Sequence, residues 1–275
     1  MTAIGGTFGR AAQQDRAVLV GYLPAGFPTV ADGIEAALAM AAAGADIIEF
    51  GLPYSDPLID GPVIQEAVHR ALTGGAHVTD TLHTVEAVAA AGVPTLVMTY
   101  WNPVEQYGAE AFARDLAAAG GSGMITPDLT PEEADPWLAA AAAHRLDPVF
   151  LVAPSSPAER IELITSRCSG FVYAASVMGI TGARDTVSGD AAGLVARVRA
   201  ITSLPVGVGL GVRDGAQAAE VASFADGVIV GSAFVKRLLD APDLAAGIGA
   251  VQDLAGDLAA GVRQGPAARP PQPKA

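Results

Sequence analysis

A chain of 275 residues can bury a large core, either as two small domains or as one α/β barrel of about 250 residues. Its formal charge of −13 and its scattered basic residues make nucleic acid and anionic membranes poor partners. The lone Cys168 excludes an internal disulfide and no basic-then-apolar leader is visible, so a reducing, cytoplasmic setting is expected.

Eight short apolar runs of strand type alternate with Ala-rich helical stretches. In chain order they are Ala17 to Leu23, Ile47 to Gly51, Thr95 to Thr99, Gly123 to Ile125, Pro148 to Val152, Gly170 to Ala174, Pro205 to Gly209 and Gly227 to Val230. Several are apolar without alternation, as strands covered on both faces are. Helix starts are signalled by Asp80, by Thr130-Pro-Glu-Glu with Pro131 at the first helical position, and by Ser156-Pro-Ala-Glu. Two helices, Val63 to Thr73 and Asp80 to Ala90, are expected after the second strand. Eight such repeats predict a single-domain α/β fold, a (β/α)8 TIM barrel over residues 1–264, with a doubly wound open sheet as the alternative. The Pro-rich residues 265–275 read as a disordered tail.

The second run carries an anomaly. Strands disfavour Glu, and Glu is seldom buried without a partner or a task, yet Glu49 sits inside Ile-Ile-Glu-Phe. One reading is a core carboxylate held by hydrogen bonds or an Arg. The other is a burial-tuned carboxyl that donates and recovers a proton at the mouth of a barrel. Asp56 and Asp60 follow in a Pro/Asp/Gly loop, where ordinary turn and capping chemistry competes with a catalytic role.

Toward the C-terminus the strand ends become Gly-rich, at Val208-Gly-Leu-Gly-Val212 and Val230-Gly-Ser-Ala233. Glycine admits a phosphate close to the backbone, and N–H groups at a helix start attract it, so Gly211, Gly231 and Ser232, with Gly182 from the sixth loop, form a candidate phosphate cradle. Tyr22, Tyr100, Trp101 and Tyr173 fall at strand ends and read equally as an apolar slot or as core.

Absences narrow the chemistry. The lysines, Lys236 and Lys274, are away from strand ends, which disfavours a Schiff base. The four histidines lack ligand spacing, and no metal site is expected. Acid–base catalysis by carboxylates on a small phosphorylated substrate remains, with Tyr173 as an accessory.

The segment Glu49-Phe-Gly-Leu-Pro-Tyr-Ser-Asp-Pro-Leu-Ile-Asp-Gly-Pro-Val-Ile-Gln65 resembles the diagnostic segment of the tryptophan synthase alpha chain family. Met98-Thr-Tyr-Trp-Asn-Pro103, Phe150-Leu-Val-Ala-Pro154, Gly179-Ile-Thr-Gly-Ala-Arg184 and Gly231-Ser-Ala233 extend the match in order. The resemblance implies a (β/α)8 barrel that cleaves indole-3-glycerol phosphate to indole and glyceraldehyde 3-phosphate without a cofactor of its own. It implies that Glu49 is the acid–base group, that Asp60 stabilises charge at the indole nitrogen and that Tyr173 sits beside them. Phosphate would bind at Gly182, Gly211, Gly231 and Ser232, and indole among Tyr22, Met98, Tyr100, Ile125, Leu151 and Thr181. The implied partner is the tryptophan synthase beta chain, which holds pyridoxal phosphate, in an α2β2 heterotetramer contacted through Asp56 and Asn102. Val177 stands where the family often has Arg, which prompts the alternative of a stand-alone lyase releasing free indole.

Overall fold

The runs of β-branched and aliphatic residues find their explanation in a closed cylinder, because a strand with helices outside and packed side chains inside is apolar on both faces. The computed structural model describes residues 2–175, 187–209 and 211–264. Its strands are β1 (Val18–Pro24), β2 (Ile47–Gly51), β3 (Thr95–Met98), β4 (Gly123–Thr126), β5 (Asp147–Val152), β6 (Val172–Ala175), β7 (Val206–Gly209) and β8 (Gly227–Val230). Each pairs in parallel with the next, and β8 closes on β1 through Val18↔Gly227 to Gly21↔Val230. The open doubly wound sheet is thereby excluded.

Two apolar layers result. Val18, Val20, Ile47, Leu96, Ile125, Val149, Phe171 and Ile229 fill the cylinder, while residues such as Leu19, Phe50, Val97 and Phe150 meet the surrounding helices. The N-terminal helix Ala3–Gln13 plugs the end where the strands begin, placing Phe8 5.4 Å from Phe171, ring centroid to centroid. Because side chains alternate along a strand, the residue two positions after each interior one points to the same inside face, one layer nearer the opposite mouth. Glu49 after Ile47, Tyr22 after Val20 and Tyr173 after Phe171 all occupy that next layer.

Predicted helix starts need small corrections. The two helices after β2 are Pro62–Thr73 and Val78–Ala90. Asp80 does not open the second; His77 does, and the Asp80 carboxylate accepts the His77 N–H at 2.8 Å to complete a capping box. Thr130-Pro-Glu-Glu forms a turn, with Glu133 N–H bonded to the Thr130 carbonyl, and the helix starts only at Asp135. A helix begun at Pro131 would carry Pro136 in its interior, where the ring meets the carbonyl four residues back, whereas starting at Asp135 puts it harmlessly in the first turn. The helix after β5 is Ala158–Arg167 with Pro157, not Ser156, as its N-cap.

At the plugged end two carboxylates are paired with arginines. Asp46, just before β2, accepts the Leu19 N–H at 2.9 Å and meets Arg16 through two bonds of 2.7 and 2.8 Å. Asp226, just before β8, accepts the Val206 N–H at 2.9 Å and pairs with Arg199 at 3.0 Å. Asp46→Ala removes the Arg16 ion pair and the acceptor of the Leu19 amide together, so it should lower stability by about 2–3 kcal/mol while leaving the rate per folded molecule unchanged. Urea unfolding with parallel activity assays checks both halves.

Candidate active site

The end of the barrel opposite the plug opens into a cavity of about 710 Å³. Tyr22, Glu49, Met98, Leu151 and Tyr173 line it from β1, β2, β3, β5 and β6. Ile125 does not: it is wholly buried in the interior core, and Pro127, two residues on, takes the wall position on that side. Gly209 keeps the wall thin, since a Cβ there would press on the Tyr173 ring at 3.0 Å. Gly51 does the same for Tyr22, whose phenol carbon would lie 2.7 Å from such a Cβ.

Glu49 is 1 % exposed, and its Oε2 has no hydrogen-bond partner among the described residues. Among the described residues neither an Arg nor a backbone donor compensates it. Burial, reinforced by the nearby Asp60 charge, pushes its pKa up to about 8, so at neutral pH this carboxyl keeps its proton. Asp60 arrives from the loop between β2 and the helix Pro62–Thr73 and lines the same cavity. Burial raises its pKa as well, but a hydrogen bond from the Tyr100 hydroxyl opposes the rise. Burial and the two carboxylates hold the phenols of Tyr22 and Tyr173 above their ordinary range, so both remain neutral.

The loop bearing Asp60 is tied down locally. Gln65 Nε2 donates to the Asp60 carbonyl at 2.8 Å, the Leu58 N–H to the Asp56 carbonyl at 2.9 Å, and Ser55 Oγ to the Asp56 carboxylate at 2.6 Å. Leu58 and Ile59 nevertheless stand 89 % and 54 % exposed, an apolar pair that the sequence had placed in a polar loop without remark. Asp56 is exposed on that loop, and Asn102, exposed in the first turn of the helix Trp101–Tyr107, donates to Tyr54 Oη at 3.2 Å.

Across the cavity lie Gly211, Gly231 and Ser232. Gly211 has φ +66°, a conformation that by itself calls for glycine. Gly231 caps the helix Ser232–Asp240, whose first N–H groups and positive dipole end start at the cavity. Arg213, the one basic side chain lining the cavity among the described residues, was missed from sequence, although a charge directly after a Gly-rich strand end was the signal. Thr181 and Gly182 lie outside the described residues. Tyr100 lines a small recess beside the main cavity, together with Tyr54, Leu52 and Asp60. Among the described residues no group of three His, Cys, Asp or Glu could hold a metal.

A proton-retaining carboxyl, a second carboxylate and an anion-friendly helix start thus share one chamber. Comparison with known proteins bears on what it serves. The family profile described as tryptophan synthase alpha chain matches residues 8–262. The alpha chain of Salinispora arenicola is 62% identical over 263 residues, covering 96% of this chain and 98% of that one, and that of Thermobifida fusca is 58% identical over 266 residues, covering 96% and 98%. A crystal structure of tryptophan synthase from M. tuberculosis in an aminoacrylate-bound form superposes with a TM-score of 0.87 at 52% identity, covering 95% of this chain and 100% of that chain. The tryptophan synthase subunit alpha of Legionella pneumophila gives 0.87 at 32% identity, covering 95% and 98%. With profile, sequence and barrel agreeing along almost its whole length, the chain belongs to the tryptophan synthase alpha chain family.

Proposed function

We propose that Glu49 and Asp60 carry out the lyase half-reaction of this family, the cleavage of indole-3-glycerol phosphate to indole and D-glyceraldehyde 3-phosphate. The observation that carries the assignment is the placement of Glu49, a buried carboxyl whose Oε2 has no hydrogen-bond partner among the described residues, on the wall of a cavity that also holds Asp60. Its proton goes to the indole ring carbon that bears the glycerol side chain, leaving positive charge on the ring nitrogen. Asp60, ionised, accepts the indole N–H and stabilises that charge. The Glu49 carboxylate then removes the proton of the adjacent side-chain hydroxyl. As the O–H electrons form the aldehyde, the carbon–carbon bond breaks and its electron pair restores the aromatic indole. Glu49 ends with a proton, as it began, and neither an amine nor a metal is called upon.

The substrate's phosphate would rest against Gly211, Gly231 and Ser232, with Gly182 from the sixth connection, where helix N–H groups face the anion. Tyr22, Met98, Leu151 and Tyr173 offer the apolar wall for the indole ring, and Thr181 joins the same set by resemblance. Tyr173, neutral and beside both acids, would orient the ring and the reacting hydroxyl. No cofactor is assigned to this chain; pyridoxal phosphate is assigned to its partner.

That partner is the beta chain of tryptophan synthase, in an α2β2 heterotetramer that receives indole directly. Leu58 and Ile59, exposed and apolar beside Asp56 and near Asn102, supply a surface suited to burial against another protein. A cytoplasmic setting fits the lone Cys168, whose thiol burial pushes up to about 12 and so keeps unreactive. Among the described residues no helix is long and apolar enough to cross a membrane.

An indole-release assay with and without beta chain tests the assignment. Glu49→Gln should lose on the order of 10³-fold or more in kcat, and Asp60→Asn about 10²-fold or more; a Glu49→Gln variant with full rate would sink the mechanism. Activity of the wild type should fall as pH rises through about 8, where Glu49 gives up its proton. Stability carries the same signature. Folding raises the Glu49 pKa, so the native state holds a proton the unfolded chain has released, and stability declines from the ordinary carboxylate range up to about pH 8 and then levels. Glu49→Gln escapes this decline: thermal melts should show it more stable than wild type at pH 8–9, with the gap closing toward pH 5.

A further inference from the structure

Asp60 is carried by a loop, and a loop aims a side chain less firmly than a strand does. Its carboxylate therefore needs an external reference. Tyr100 provides one: its Oη accepts the Ile59 N–H at 3.0 Å and donates to Asp60 Oδ2 at 3.3 Å. One phenol thus grips both the backbone just before Asp60 and the carboxylate itself. Its ring is buried, packs on Tyr54 with centroids 5.3 Å apart, and Tyr54 in turn accepts the Asn102 amide. Tyr100 lines the recess behind Asp60 rather than the substrate cavity.

We propose that Tyr100 is a positioning residue for the cleavage reaction, acting through Asp60 by this two-point contact rather than by touching the indole ring. The inference rests on the role given to Asp60 above. Among the described residues the groups that bear on Asp60 are the Glu49 carboxyl from β2 and the phenols of Tyr22 from β1, Tyr173 from β6 and Tyr100 beyond β3, with the Arg213 guanidinium on the same cavity wall. Of these the Tyr100 hydroxyl, by its hydrogen bond, favours the ionised form of Asp60, which burial disfavours. The bond is longer than the ~2.5–2.7 Å usual for a hydroxyl on a carboxylate.

Tyr100→Phe removes the hydroxyl and keeps the ring against Tyr54. In the full chain assayed with indole-3-glycerol phosphate, it should lower kcat/KM about 10-fold and move the acid limb of the pH profile upward by roughly half to one pH unit. Tyr54→Phe, which deletes a hydroxyl from the same ring pair without touching Asp60, should leave the acid limb in place. A second readout needs no turnover: the Asp60 carboxyl-carbon resonance, assigned by its loss in Asp60→Asn, should titrate at higher pH in Tyr100→Phe than in wild type. An unmoved acid limb together with an unmoved Asp60 titration would overturn the inference, even if the rate fell. Should the wild type cleave nothing, the lyase role of Asp60 fails instead, and the resonance still decides whether Tyr100 governs that carboxylate.

Discussion

Desolvation of one carboxyl group governs the layout of this barrel's open end. Closing eight parallel strands leaves a packed apolar interior, and the two-residue alternation of β2 sends Glu49 to its upper edge, on the same face as Ile47. With no cation paired to it among the described residues, burial keeps the side chain neutral where a surface Glu would be charged. Everything around it is compatible with that state: neutral phenols at Tyr22 and Tyr173, apolar Met98 and Leu151, and glycines at 51 and 209 that make room for the rings.

Two carboxylates at one end of the cylinder contrast with two at the other. Asp46 and Asp226, where strands begin, are satisfied by arginines and by backbone N–H groups of neighbouring strands, and they hold the closure together. Glu49 and Asp60, where strands end, have no arginine paired to them among the described residues, Arg213 being elsewhere on the cavity wall. A carboxylate that is fully compensated contributes to the fold; one left partly uncompensated retains free energy that chemistry can use. The division follows the general separation of stability and reactivity between the two faces of (β/α)8 proteins.

Much of this was legible in the sequence because it depends on short-range pattern. Eight apolar runs became eight strands with ends displaced by at most two residues, and Glu49 stood out because it broke a run. What escaped depends on geometry between distant segments. Thr130-Pro-Glu-Glu has the local form of a helix start, and only the second proline, at 136, decides against it. Ile125 and Pro127 are separated by one step of the alternation, and choosing which faces the cavity requires the strand's exact height in the barrel. Tyr100 was grouped with the ring-binding aromatics because position along the chain places it at a strand end; its hydrogen bonds to Ile59 and Asp60 span some forty residues and leave no trace in local pattern. Arg213 and the exposed pair Leu58-Ile59 were visible as residue types, but without knowing what surrounds them neither carried meaning.

The adjacency of Ile59 and Asp60 has an evolutionary corollary. Surface patches ordinarily drift in sequence without disturbing reaction centres, because several shells of packing lie between the two. Here a single peptide bond separates an apolar surface residue from an acid on the cavity wall, and the amide of that surface residue is itself bonded to Tyr100. Substitutions that reshape this rim therefore bear directly on the placement of Asp60.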